Sequence, residues 1–218
     1  MFSSGFIPSE IDGTEVVYTP QEWKDFKLPA EYSFLKYMPP VIDQGRAPVC
    51  VPASLSSWIN WKINSNIKGG EEIDGKVDLF GIYTVGRGYE ESKEVLAADG
   101  MTFKAALKYL RKDGVKTDVG NIKIKYYAII NSYYQLKSAI FMNGPCFGAL
   151  PVYNSNLNDF WRPGTGELEG YHAVAIIGYS EKGFIIRNSW GLGYGKDGYW
   201  EIPYLEAREF HEIWTILQ

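Results

Sequence analysis

The sequence predicts an α+β fold in which helices come first and a sheet follows. Three observations carry this expectation. Apolar residues recur at helical spacing in the first half, strand-like runs follow one another from Cys146 onward, and the two patterns never alternate as βαβ units would. At 218 residues the chain can bury a sizeable core, as one large domain or as two lobes sharing a cleft.

Residues 1–40 carry Pro8, Pro20, Pro29, Pro39 and Pro40 among scattered aromatics, with no sustained period. They read as an extended segment laid over a body and anchored by Trp23, Phe26, Phe34 and Leu35. Turn residues then lead from Gln44 into Cys50, after which Val51, Leu55, Trp58, Ile59 and Ile63 repeat at helical spacing. Pro52 fits only in the first turn of that helix, where a missing N–H costs nothing. A polar loop over residues 64–75 follows, then a helix over 79–89 that Gly81, Gly86 and Gly88 weaken. Thr102 suits the N-cap of a helix over 103–112, whose Phe103, Ala106, Leu107 and Leu110 share a face, and Gly114 suits its end. Ser132 and Gln135 make a capping box ahead of a short helix through Met142. Strand-like runs occupy residues 146–152, 172–178, 183–188, 198–202 and 212–217.

The formal charge of -4 offers no concentrated basic surface, so neither nucleic acid nor an anionic membrane is expected as a partner. No apolar run reaches membrane-spanning length, and residues 1–20 lack the charged-then-apolar order of a signal peptide. Cys50 and Cys146 are too few for a disulfide framework. A cytoplasmic or other reducing compartment is the simpler expectation, a virion or host-delivered location stays open, and a Cys50–Cys146 bridge is the bland alternative. Two histidines and two cysteines far apart make no metal set, and no cofactor is expected.

Cys50 is the candidate nucleophile. A thiol at the first turn of a helix meets unpaired N–H groups and the positive end of the helix dipole, which favour its thiolate. Only His172 and His211 could serve it as an imidazole base. His172 opens a strand-like run after the loop over 164–170, a natural cleft mouth, whereas His211 reads as a surface or packing residue. The amide oxygen of Asn188 can accept from the His172 ring N–H and fix its tautomer, and Trp190 can shield that bond. Gln44 can set its amide N–H beside the Cys50 backbone N–H, giving two donors for an oxyanion. Cys146, the aromatics Trp58, Trp61, Tyr126, Tyr127, Tyr133 and Tyr134, and the acidic run Glu90, Glu91, Glu94 read as packing or solvated surface. Asp197-Gly198 reads as a turn.

The stretches Asp43-Gln44-Gly45 to Cys50, Tyr171-His172-Ala173-Val174 to Gly178-Tyr179, and Ile186-Arg187-Asn188-Ser189-Trp190-Gly191 to Tyr199 together resemble the papain-like cysteine peptidases. The resemblance runs from about residue 28 onward and is nearest the compact bacterial, archaeal or viral-type members. It implies a single domain over 1–218, with an extended segment over 1–40, a mainly helical lobe over 41–130 and a mainly β, barrel-like lobe over 131–218, the active site lying in the cleft between. It also implies hydrolysis of peptide bonds, with Cys50 as nucleophile, His172 as base then acid, Asn188 as its orienter and Gln44 as oxyanion donor. Gly100, Trp190 and Ala173 would line the substrate cleft. The implied partners are a peptide or protein substrate and an inhibitor protein or separate pro-segment. Ala47 stands where the family has a cysteine, Val51 where an aromatic follows the nucleophile, Tyr171 where a small or acidic residue precedes the histidine, and Tyr194 where a second tryptophan stands. No long inhibitory segment is expected ahead of Gln44. A non-catalytic peptide-binding module and a thiol-dependent transamidase are the alternatives.

Overall fold

The computed structural model describes residues 5–20, 27–65, 76–90, 92–156, 161–164 and 166–217. Trp23, Phe26, Glu91 and most of the expected polar loop, residues 66–75, lie outside them. Five helices are described: α1 (Cys50–Ser65), α2 (Leu79–Gly86), α3 (Lys93–Ala97), α4 (Phe103–Lys112) and α5 (Tyr133–Asn143). None is long and apolar enough to cross a membrane. The capping chemistry read from sequence sets several boundaries. Thr102 accepts from the Ala105 N–H and Ser132 from the Gln135 N–H, so each covers an orphan donor of a first helical turn. The box at α5 is displaced by one residue, because Gln135 Oε1 reaches back to the Asn131 N–H while its Nε2 donates to Tyr18 O. Asp78 caps α2, which gives way after Gly86 to a 3₁₀ turn over Arg87–Tyr89.

The strands are β1 (Tyr32–Ser33), β2 (Val115–Thr117), β3 (Gly120–Ile122), β4 (Tyr126–Ile129), β5 (Cys146–Tyr153), β6 (Leu168–Tyr179), β7 (Gly183–Arg187), β8 (Tyr199–Pro203) and β9 (Glu212–Leu217). The main sheet runs β4-β9-β5-β6-β7-β8, antiparallel throughout, with β1 paired to β6, and it is open rather than a closed barrel. The sheet takes in β4, which falls inside the stretch expected to be mainly helical. Both faces are buried, which explains why its central strands read as continuous apolar runs. Phe147, Ala149, Ala173 and Trp214 join the core built on α1 and α4. Cys146, Leu150, Val152 and Ile176 join a second core with α5, Phe34 and Met38.

Several expectations fail for tertiary reasons. The strand carrying His172 begins at Leu168, so the histidine sits within β6 rather than opening it; its neighbours on β5, not the local glycines, decide the strand. Leu35 is exposed, and Phe6, Tyr18 and Met38 anchor the first forty residues beside Phe34. Tyr126 and Tyr134 are exposed rather than packed. Glu90 is no solvated charge: its carboxylate accepts the Thr102 N–H and hydroxyl. Asp197 and Gly198 form the expected turn, both at positive φ, 54° and 82°.

Candidate active site

Helix α1 begins on Cys50 and packs its first turns against β6. The thiol is fully buried at that junction, where the backbone amide of Ala173, on β6, bonds the sulfur. The residue before Ala173 is His172, 2% exposed. Its Nε2 donates to Asn188 Oδ1 at 2.7 Å, and an amide oxygen can only accept, so this nitrogen carries the proton and Nδ1 is left as a bare lone pair. Nδ1 has no partner among the described residues. The Trp190 indole lies against the imidazole, ring centroids 4.1 Å apart and 27° from parallel. Tyr194 meets Trp190 edge-on and Trp200 beyond it, so the imidazole has an aromatic backing that excludes water.

Gln44 is tied to the same loop. Its backbone N–H donates to Ser189 O at 2.9 Å, its Oε1 accepts from the Ser189 hydroxyl at 2.6 Å, and its Nε2 donates to Ala47 O at 2.9 Å. The turn that delivers it depends on Gly45 at φ 56°, with Asp43 accepting the Gly45 N–H. The structure thus brings Gln44, Cys50, His172, Asn188, Trp190 and Ala173 together. Trp190 and Ala173 are buried at 5% and 1%, packed behind the histidine and the thiol instead of exposed along an open groove. His211 lies outside the cluster, its ring tilted at 51° against Tyr171.

The cleft is filled by the chain itself. Residues 5–9 run through it as an extended strap: Ile7 N donates to Met101 O at 3.1 Å, Met101 N donates to Gly5 O at 3.0 Å, and Phe6 pairs with Tyr171 on the other side. The Gly5 backbone reaches the Cys50 thiol. A Cβ on Gly5 would lie 2.4 Å from the Pro48 backbone, so only glycine allows this approach. Phe6, 4% exposed, packs on Phe103 and Tyr171. Gly100 lies under the strap, at φ 148°, against Ile7 and the Gly5 carbonyl. Further along, Ser9 donates its N–H and hydroxyl to the buried Glu212 carboxylate, and Lys104 bonds Glu15 at 2.7 Å and Glu10 O at 3.1 Å. Sequence reasoning missed the strap because its pairing is wholly non-local. The one local signal was the short apolar run Gly5-Phe6-Ile7-Pro8, which has no periodicity of its own.

This covering reverses the electrostatics expected of a thiol at a helix start. Burial pushes the Cys50 thiol up to about 11, although the backbone amides of Ala173, Val51 and Gly5 pull the other way. Burial likewise takes His172 down to about 4, against the bond to Asn188. Desolvation outweighs the helix end when no water reaches the sulfur, so the covered pair is a neutral thiol and a neutral imidazole. Hydration of an opened cleft would restore the advantage of the charged forms.

Comparison with known proteins agrees with this geometry. The model of the family described as "Papain family cysteine protease" matches residues 86–210, more than half of the chain. That span contains Gly100, His172, Asn188 and Trp190 and begins after Cys50 and Gln44, whose places rest on the structure alone. Cathepsin B-like cysteine proteinase 1 of Haemonchus contortus is 32% identical over 83 residues, covering 35% of this chain and 24% of that protein. Cysteine proteinase 3 of Solanum lycopersicum is 30% identical over 118 residues, covering 47% of this chain and 33% of that protein, so the matched stretch spans a third or less of either relative. Xylellain, a cysteine protease from Xylella fastidiosa, superposes over 98% of this chain and 95% of its own with a TM-score of 0.79 at 25% identity. The proCathepsin B S9 structure from Trypanosoma congolense shares the fold at 15% identity, TM-score 0.77, over 98% of this chain and 86% of its own. The chain belongs to the papain family of cysteine proteases.

Proposed function

We propose that this chain is a cysteine peptidase that works as one two-lobed domain and that its own residues 5–9 hold inactive. The observation that carries the first part is the bond from His172 Nε2 to Asn188 beside a buried Cys50, which leaves Nδ1 as the ring's proton acceptor. With the cleft open, His172 takes the Cys50 proton and the thiolate attacks a peptide carbonyl. Gln44 Nε2 and the Cys50 backbone N–H receive the oxyanion, and His172 returns the proton to the leaving amine. Water then attacks the thioester, with His172 again as base, and the acid product leaves. Two acceptor-to-donor changes at one imidazole close the cycle.

The observation behind the second part is the strap. It satisfies the Met101 backbone on one side of the cleft and lies along Tyr171 on the other, where an extended peptide substrate would have to bind. The Gly5 backbone meets the sulfur and, like the Ala173 amide, works to lower the thiol pKa against the burial that the strap imposes.

Hydrolysis of a peptide library by the full chain carrying Phe6→Ala, which weakens the strap, beside the same chain with Cys50→Ala added, tests the peptidase reading. Cleavage that vanishes in Cys50→Ala supports it. Peptide binding of equal affinity in both proteins without product identifies a binding module, and adducts with added amines in place of acid products identify a transamidase.

A further inference from the structure

Arg187 is the last residue of β7 and is 2% exposed. Its guanidinium fans out to four acceptors: Nη2 donates to Pro39 O at 3.0 Å and Pro40 O at 2.8 Å, Nη1 to Ser57 Oγ at 3.2 Å, and Nε to the Tyr199 hydroxyl at 3.3 Å. All four acceptors are neutral, and among the described residues no carboxylate pairs with it. Burying a cation without an opposite charge is costly, and four hydrogen bonds to neutral acceptors offset that cost here.

The acceptors belong to the pieces that carry the site. Ser57 is on α1, seven residues after Cys50, so it returns to the same helix face two turns, about 10.5 Å, along. Pro39 and Pro40 lead into the segment that delivers Gln44, and Ile42 O in that segment accepts the Gly191 N–H. Asn188 is the next residue along the chain, and Tyr199 pairs with Arg187 across β7 and β8. One side chain therefore spans the helix of the nucleophile, the loop of the oxyanion donor and the strand end of the histidine's orienter.

We infer that Arg187 is a positioning residue, which holds Cys50, Gln44 and Asn188 in one frame by tying Ser57, the Pro39 and Pro40 carbonyls and Tyr199 to a single planar fork. The assignment rests on the reading of Cys50, His172 and Asn188 as the reacting set. Lysine offers one point charge in place of the fork and cannot reach all four acceptors in their planes. Loss of the frame acts on the chemical step, because a small misplacement of the reacting pair slows reaction without touching the groove that binds peptide.

Arg187→Lys, Arg187→Met and Ser57→Ala separate the possibilities. Each is titrated with an irreversible thiol-directed peptide electrophile to count competent sites. Then kcat and KM per site and the pH profile of Cys50 carbamidomethylation by iodoacetamide are measured. The expected result is kcat per site lowered on the order of 10- to 100-fold in Arg187→Met, recovered little by Arg187→Lys, and lowered a few-fold in Ser57→Ala, with KM within about twofold. Alkylation at neutral pH should fall in the same order. Unchanged kcat and alkylation per titrated site, with only the number of sites reduced, would assign Arg187 to folding alone and overturn the inference. If Arg187→Met does not fold, Ser57→Ala and Arg187→Lys decide. If the Phe6→Ala chain, whose strap is weakened, cleaves no peptide, the peptidase reading fails, while the alkylation profiles still judge Arg187.

Discussion

Replacing Phe6 by alanine should open the cleft. The ring is 4% exposed, held between Phe103, at a centroid distance of 5.2 Å, and Tyr171, at 6.4 Å. Returning most of a buried phenylalanine to water removes about 2 kcal/mol. The backbone bonds to Met101 survive the change, so the loss falls on the docking of the strap and not on the body of the fold. At 1.4 kcal/mol per factor of ten, the open population rises roughly 30-fold while the closed form still dominates. The assay is the rate of Cys50 alkylation by iodoacetamide, located by peptide mass mapping, beside hydrolysis of a fluorogenic peptide. Both should rise by roughly 30-fold in Phe6→Ala, with the melting temperature little changed. A rate at Cys50 within twofold of the parent, in a protein that keeps its melting temperature, would refute the idea that the strap holds the site shut.

Three further outcomes follow from the same geometry. Covering is favoured at neutral pH: His172, held at about 4, must not be protonated and Cys50, raised to about 11, must not be ionised. Relative to the exposed values, covering loses stability as pH falls from 6.5 toward 4 and as it rises from 9 toward 11, by about 3 kcal/mol at the acid end for one fully buried group. The protection of the Ile7 and Met101 amides, taken as exchange rates divided by the intrinsic rate at each pH, should be greatest between those limits and fall on both sides; a flat protection profile would count against it. Asn188→Ala should lower kcat on the order of 10- to 100-fold, because the imidazole loses the one bond that fixes its tautomer, and equal kcat would remove Asn188 from the mechanism. Gly100→Ala places a Cβ 2.8 Å from Ile7 Cγ1 and 2.9 Å from the Gly5 carbonyl, so alkylation of Cys50 should speed up while KM for peptides rises; a slower alkylation would contradict this placement.

Much of the fold was legible where the signal was local. Thr102 and Ser132 sit at helix starts because their side chains satisfy N–H groups three residues on, which needs no tertiary partner; Asp78 does the same for α2 and was an equally local signal that went unread. The α+β order was readable from the change of period near Cys146. Three features were not readable. β4 is set by its pairing with β9, far away in sequence, and its exposed Tyr126 and half-buried Tyr127 give no clean alternation. The strap is held by Met101 and Tyr171, which nothing near Gly5 announces. The protonation state of Cys50 depends on who covers it: the helix end favours the thiolate, and that reasoning is sound for an open cleft, but the strap's dehydration prevails in the closed one. At the site, residue types and order pointed to Cys50, His172 and Asn188. What order could not supply was the buried Arg187 fork or the Ser189 bond to Gln44, since arginine and serine carry no positional signature in a single sequence.

The central claim is that Cys50 carries the acyl group. Rapid quenching of the Phe6→Ala chain with a peptide ester, followed by peptide mass mapping, tests it directly. A peptidyl mass on Cys50, absent from the Cys50→Ala counterpart and decaying as acid product appears, is the predicted result. Acylation of Cys146 instead, or hydrolysis that persists in Cys50→Ala, would contradict it.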